Sequence, residues 1–206
     1  MPQAPARMAP AQRRAQIIDG AAEVAWAQGL ANVTLRRVAT QANITYGLVN
    51  HYFPAVNDLV AEAFSVLATR DRQDAERDCS TGGTALGQLR LLLARWVRPD
   101  SDRMGLLWLD AWSLAAENPA LRQAIDQRMG DGHRLVSGIL TAGIQEGTFR
   151  PHDPEAVAWT LLTLLDGLIV HSSLQINAPR IDVTATVRNL LEDQLGLSRG
   201  DLTIQA

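Results

Sequence analysis

The sequence predicts an all-α protein, and three observations carry that prediction. Apolar residues recur at helical spacing in almost every segment, as in Ile18, Ala21, Ala22 and Ala25, an i, i+3, i+4, i+7 stripe. Short breaks rich in Gly, Pro, Asn and Ser separate the stripes, at Gly29, Ser80–Thr84, Pro99–Ser101, Asn118–Pro119, Gly147–Pro151 and Ala178–Pro179. No run alternates apolar and polar residues as a half-buried strand does. About nine helices follow from this segmentation. They are grouped as an N-terminal three-helix unit with its arm (1–53), a connecting helix (55–79) and a C-terminal helical body (80–206).

The arm contains Pro2, Pro5 and Pro10 among scattered Ala and Arg, with no apolar core long enough for a signal peptide. A first helix is expected from Arg13 to Gln28, with Trp26 beside its apolar stripe and Gly29 as its stop. A second follows from Leu35, with Thr34 as N-cap and Leu35, Val38, Ala39 and Ala42 on one face. Asn43 stands where the chain must turn, and Asn tolerates left-handed backbone better than most residues. Thr45 then caps a short third helix that packs through Leu48 and Val49, leaving Tyr46, Gly47, Asn50 and His51 outward. Helix, turn and helix over 34–53 form a helix-turn-helix. An outward face that is aromatic, small and amide-bearing, with few carboxylates, suits phosphates and base edges.

The segment resembles the DNA-binding domain of the tetracycline-repressor (TetR) family of bacterial transcription factors. The likeness runs from the helix before Gly29, through Val33-Thr34 and Tyr52-Phe53, to Asp58-Leu59-Val60. It implies a base or phosphate contact for Arg36, base reading by Tyr46, Gly47 and Asn50, and phosphate contacts for Thr34, Thr45, His51 and Tyr52. Phe53 is assigned to the core, and Tyr52 is left open between core and phosphate. The family pattern usually has a Lys two or three residues past the aromatic pair. This chain has Pro54-Ala55-Val56-Asn57, so that contact is not carried over, and the arm residues Arg7, Arg13 and Arg14 are the candidates to replace it.

Charge agrees with a DNA-binding head. Residues 1–53 hold five Arg against Asp19 and Glu23, a balance of +3, while the whole chain stands at −3, leaving −6 on the rest. All 19 basic residues are Arg. Arg gives bidentate phosphate and guanine contacts, but its spread over the acidic half fits the bias of a GC-rich genome better. Cys79 is the single cysteine, which allows no intrachain disulfide and fits a reducing cytosol. With no uncharged run of membrane-spanning length, a cytoplasmic protein without membrane contact is expected. Phosphate-binding loops, nucleophile elbows, zinc-protease motifs and dinucleotide fingerprints are absent, and His51, His133, His152 and His171 are scattered without metal-ligand spacing. No catalysis, metal or cofactor is expected.

In the connecting helix, Leu59, Val60, Ala63, Phe64, Leu67 and Ala68 are apolar before a charged run at 70–78. The body is expected to hold helices at 85–98, 102–117, 119–146, 154–176 and 182–195, with Gly130 and Gly132 loosening the middle of 119–146 as a hinge. The 154–176 helix is apolar nearly all round, which calls for burial on every side. A second subunit supplies one side, so Leu161, Leu165 and Leu168, with Val187, Leu190 and Leu191 of the last helix, are the candidate dimer interface. The resemblance implies the same homodimer, reading a palindromic DNA operator with two recognition helices.

Met104, Trp108, Trp112, Met129, His133, Trp159 and Asp166 are the candidate lining of a small-molecule pocket, since aromatic walls with a few polar groups are what such pockets use and what an ordinary core also uses. Trp108-Leu-Asp-Ala-Trp112 with Glu117-Asn-Pro119, and Glu146-Gly-Thr-Phe-Arg150, resemble the subgroup containing choline- and betaine-linked repressors. A cationic ligand over Trp faces, near Asp110 or Asp166, fits that chemistry, although the resemblance, in which an Asp-Gly pair recurs at this place with different ligands, implies a structural role for Asp166. The expected activity is a ligand-responsive, sequence-specific regulator, a repressor released by a small-molecule inducer. Ligand binding would shift the helices at 102–117 and 119–146 and swing the one from 57; about 1–3 kcal/mol of coupling suffices for a 5- to 150-fold change in operator affinity. The alternative is a DNA-bound adaptor whose body binds a protein partner.

Overall fold

The computed structural model describes residues 8–96, 102–173 and 183–203. Among them are α1 (Pro10–Gln28), a 3₁₀ turn (Leu30–Asn32), α2 (Leu35–Gln41), α3 (Tyr46–Tyr52), α4 (Val56–Ser80), α5 (Ala85–Trp96), α6 (Asp102–Leu114), α7 (Pro119–Gln145), α8 (Pro154–Ser173) and α9 (Val183–Leu195). The predicted all-α class holds, with no strand among the described residues. None of the helices is long and apolar enough to cross a membrane among the described residues.

Helix ends follow their caps. α1 begins at Pro10, three residues before the predicted start, because Pro at the first helical position loses no hydrogen bond. α6 ends at Leu114, short of the predicted 117. Its trailing carbonyls are taken by a side chain instead: the Arg122 guanidinium donates to Ala115 O (3.1 Å) and Ala116 O (3.2 Å). α7 closes in a Schellman motif, with Gly147 at φ +72° and Thr148 N donating to Gly143 O (2.9 Å). The expected hinge at Gly130 and Gly132 is a regular stretch of α7, where Asp131 accepts from Arg128 (3.0 Å) and Arg134. The predicted ends at 97–98, 174–176 and 182 lie outside the described residues.

Two compact units arise, and they do not divide at the Ser80–Thr84 break where the sequence suggests a boundary. One consists of residues up to Ala68 together with Asp110–Ile125; the other of Thr69–Leu109 and Asp126 onward. The reason lies in helix length: α4, α6 and α7 each contribute residues to both units, so no single loop separates them.

In the first unit, Ile17, Ala21, Leu30, Val38, Val49, Phe64, Ala111 and Leu121 are fully buried. The second has one hydrophobic core from α4, α5, α7, α8 and α9, including Leu89, Leu92, Leu140, Phe149, Leu161, Leu191 and Leu195. Polar anchors seal its edges. Glu146 accepts the Ala85 N–H at the start of α5 (3.2 Å). Glu192, 1% exposed, accepts the N–H groups of Gly200 (3.0 Å) and Leu202 (2.9 Å). Arg95 bridges Asp71 (2.6 Å) and Asp78 (2.8 Å), so part of the charged run on α4 is paired across helices and not merely solvated.

Candidate nucleic-acid interface

The helix-turn-helix forms as its residues demand. Thr34 and Thr45 are both N-caps, their hydroxyl oxygens accepting from Arg37 N and Leu48 N at 3.3 Å. Between them Asn43 takes φ +53°, the one left-handed non-Gly residue among those described. Asn43 N donates to Thr40 O (3.2 Å) and Ile44 N to Ala39 O (2.9 Å), which makes the turn a Schellman closure of α2. Behind it, Gly20 of α1 lets the turn close in, since a Cβ there would stand 3.1 Å from the Ala42 Cβ. Gln16 Nε2 donates to Ala42 O (3.0 Å) and Gln41 Nε2 to Glu23 (2.6 Å), fixing α1 to α2.

This frame leaves one face open. Val49 is fully buried, while Tyr46 is half-exposed and Gly47, Asn50 and His51 are exposed. A Cβ at Gly47 would meet nothing within 4 Å. Arg36 is exposed on α2, and Thr34 and Thr45 remain exposed with hydroxyl protons free of their capping role. Tyr52 is half-buried, its ring edge-on to His51 at 5.4 Å, and Phe53 is buried as expected. No residue of this reading set carries negative charge.

A cleft of about 830 Å³ borders the face, with Arg36, Tyr46 and Asn50 on one side and Leu114, Glu117 and Asn118 on another. Val56, where the expected Lys is missing, lies exposed on its rim. The arm residues are partly committed elsewhere: Arg13 donates to Gln16 (2.6 Å), and Arg14 pairs with Glu62 and lies over the Phe53 ring (5.0 Å). Arg7 is outside the described residues.

The first unit also holds two polar contacts that local sequence patterns missed. The Asp110 carboxylate accepts the Leu30 N–H at 2.9 Å. Gly29, at φ +94°, makes room for it, because a Cβ there would stand 2.7 Å from Asp110 Oδ2. Asp110 is therefore occupied by backbone and is not the free counter-charge considered for a cationic ligand. Leaving a buried N–H unpaired costs about 1–3 kcal/mol, so this bond matters to the turn before α2. Asn118, 5% exposed, accepts the Leu121 N–H as N-cap of α7 (3.0 Å) and donates to Asn57 O in the first turn of α4 (3.2 Å). In the sequence it read as a separator and as part of the Glu117-Asn-Pro119 pattern, with no bond assigned to its side chain.

The other predicted groups are scattered. Of the expected pocket residues, Trp112 falls in the first unit and Met104, Trp108, Met129, His133, Trp159 and Asp166 in the second. His133 and Trp159 do come together, stacked at 4.6 Å, with Glu155 3.3 Å from His133 Nε2, but Trp159 is 44% exposed. Burial pushes the Asp166 carboxyl up to about 6. Of the expected dimer residues, Leu161, Leu165, Val187 and Leu191 are buried in the chain's own core and Leu168 packs against it; Leu190 alone is exposed. A side chain enclosed by its own chain has no surface to offer a partner, so those four are corrected to core residues.

Two family models match. Residues 17–63 match the bacterial regulatory proteins of the tetR family, and residues 85–196 match the C-terminal domain of BetI-type transcriptional repressors. A Burkholderia mallei protein named HTH-type transcriptional regulator BetI is 31% identical over 166 residues, 79% of this chain and 82% of that protein. Among solved structures, a transcriptional regulator from Pseudomonas aeruginosa PAO1 superposes with a TM-score of 0.69 at 26% identity, covering 92% of this chain and 91% of that one. A transcriptional regulator from Saccharomonospora viridis, solved in complex with choline, superposes with a TM-score of 0.66 at 22% identity, covering 89% and 95%.

Proposed function

Since the chain belongs to the tetR family of bacterial regulatory proteins, with a BetI-type C-terminal domain, we propose that it works as a homodimer on a palindromic operator. A two-fold pair presents two copies of α3 to successive major grooves, about 34–36 Å apart. The observation that carries this reading is the face of α3, where Tyr46, Gly47 and Asn50 are exposed beside Arg36 on a doubly capped frame. Tyr and Asn reach base edges, and Gly47 lets the helix backbone come close. Arg36, Thr34, Thr45, His51 and Tyr52 supply phosphate or base contacts around them.

The dimer face is drawn from the surface that α8 and α9 leave uncovered. Trp159 and Leu190 are large apolar side chains exposed on these helices, and Thr163 and Gly167 continue the exposed side of α8. An exposed Trp and Leu on packed helices call for a cover, and a second copy provides one.

Operator release is assigned to a small molecule taken up by the C-terminal domain, with repression as the mode. The choline complex of the Saccharomonospora viridis regulator supports a quaternary ammonium as the first candidate. Asp166 is the remaining carboxylate for it, and Trp108, in the same unit, is the candidate aromatic surface.

The test begins with selection of duplexes from a random pool by the full chain, followed by footprinting. The expected outcome is an inverted repeat protected on both half-sites, bound by a species of twice the chain mass in sedimentation. Choline is then titrated against the complex, and release is expected. Failure to enrich any duplex would end the DNA reading; unaltered binding in choline would remove only that ligand.

A further inference from the structure

We infer that Asp110 and Asn118 are positioning residues for DNA binding, holding the reading motif from both of its ends. This inference rests on the proposed reading of DNA by α2 and α3. The helix-turn-helix spans Thr34 to Phe53. Leu30, four residues before it, gives its N–H to the Asp110 carboxylate (2.9 Å). Asn57, four residues after it, gives its carbonyl to Asn118 Nδ2 (3.2 Å). One stretch of nine residues, far along the chain, thus holds the entrance and the exit of the motif.

The chemistry at each point is specific. A carboxylate on a backbone N–H is a charge-assisted bond, and the 3₁₀ turn at Leu30–Asn32 presents that N–H at its first residue, where no helical carbonyl is available. Gly29 is required twice, by its positive φ and by the space Asp110 Oδ2 fills. Asn118 acts in two directions at once: its carbonyl oxygen caps α7 at Leu121 and its amide reaches α4. Apolar contacts do not fix a helix end to the accuracy base reading needs, whereas a directional bond does.

The location has regulatory meaning. Residues 110–125 fall within the match to the C-terminal domain model, 85–196, yet by contacts they belong with the N-terminal helices. The bonds to Leu30 and Asn57 are therefore the points at which a change in the end of α6 or the start of α7 would alter the presentation of α3. Neither Asp110 nor Asn118 touches DNA in this scheme.

The test uses the full chain and a duplex selected by the wild-type protein. Asp110→Ala removes the acceptor, and Asp110→Asn retains an oxygen in place. Asn118→Asp keeps the α7 cap but loses the donor to Asn57. At a temperature where all are folded by circular dichroism, Asp110→Ala and Asn118→Asp are expected to bind about tenfold more weakly, with the salt slope of wild type because no phosphate contact is lost. Asp110→Asn is expected within about threefold of wild type, and the Leu30 amide should exchange faster in Asp110→Ala. A purely structural role would lower the melting temperature but leave the affinity of the folded protein unchanged. Wild-type affinity in folded Asp110→Ala overturns the assignment for Asp110, and in Asn118→Asp that for Asn118. Should Asp110→Ala not fold, Asp110→Ser, too short to reach Leu30, takes the same comparison. If the wild type selects no duplex at all, the DNA reading fails first, and the two failures are told apart.

Discussion

The Phe149 ring occupies the space that a side chain at Gly143 would need: a Cβ there would stand 2.0 Å from Phe149 Cδ2. Phe149 is 1% exposed, and both Thr148 N and Phe149 N bond to Gly143 O, so neither ring nor helix end can yield easily. Gly143→Ala, ordinarily favourable in a helix, is expected to destabilise by at least the 1–3 kcal/mol typical of overpacking, roughly 2–4 °C of melting temperature per kcal/mol for a chain of this size. Thermal unfolding followed by circular dichroism decides it. A melting temperature at or above wild type would mean that the ring has another place to go.

Gly47 offers the opposite case. No atom lies within 4 Å of its missing Cβ, so Gly47→Ala is expected to stabilise the isolated protein by up to about 1 kcal/mol. Bound DNA would occupy that space, and a selected duplex should then bind about tenfold more weakly. Stability and affinity move in opposite directions, which separates a reading surface from an idle one. Unchanged affinity would show that the backbone at Gly47 does not approach DNA.

Val56 is exposed at 37%, within the short stretch after Phe53 where the resemblance drawn from the sequence implies a Lys. Val56→Lys is expected to raise affinity for any duplex at low salt and to steepen the dependence of log affinity on log salt by about 0.9, the signature of one added phosphate contact. The folded structure has no reason to change. An identical slope would place residue 56 away from the phosphates.

Asp166 should make stability depend on pH with a definite sign. Burial raises its carboxyl from 3.8 to about 6, so the folded chain binds that proton more tightly than the unfolded one. Stability from this group is present at low pH and is lost as pH rises between those two values. Asp166→Asn is then expected to match wild type near pH 4 and to exceed it near pH 7.5. Because the group is only half-buried, the gain is expected to stay below about 2 kcal/mol. Melting curves at the two pH values check it; equal differences at both would show that Asp166 has an ordinary carboxyl.

Much of the reading motif was legible because its signals are local. Thr34 and Thr45 as caps, Asn43 as the turn and Val49 as the inward residue each depend on neighbours within four positions, and each is found in that role. Periodicity also marked which side chains of α8 and α9 are apolar. It had no means of telling what covers them: Leu161, Leu165, Val187 and Leu191 turn into their own core while Leu190 and Trp159 stay outside. Asp110 shows the same limit for polar groups. An isolated carboxylate in an apolar helix looks available for a ligand until the partner 80 positions away is known. The unit division escaped for a related reason, since the Gly-rich Ser80–Thr84 stretch is conspicuous in sequence, whereas contacts carried through three long helices are not.

The bond between Asp110 and Leu30 sets a rule for building chimaeras from regulators of this kind. A graft that transplants only the first 68 residues onto a foreign body delivers Gly29 and the Leu30 amide with no carboxylate to receive that N–H. The transferable cassette is discontinuous, residues 1–68 plus 110–125. Substitutions at 29 and 110 should accordingly be exchanged as a matched set, because a larger residue at 29 and a carboxylate at 110 exclude each other.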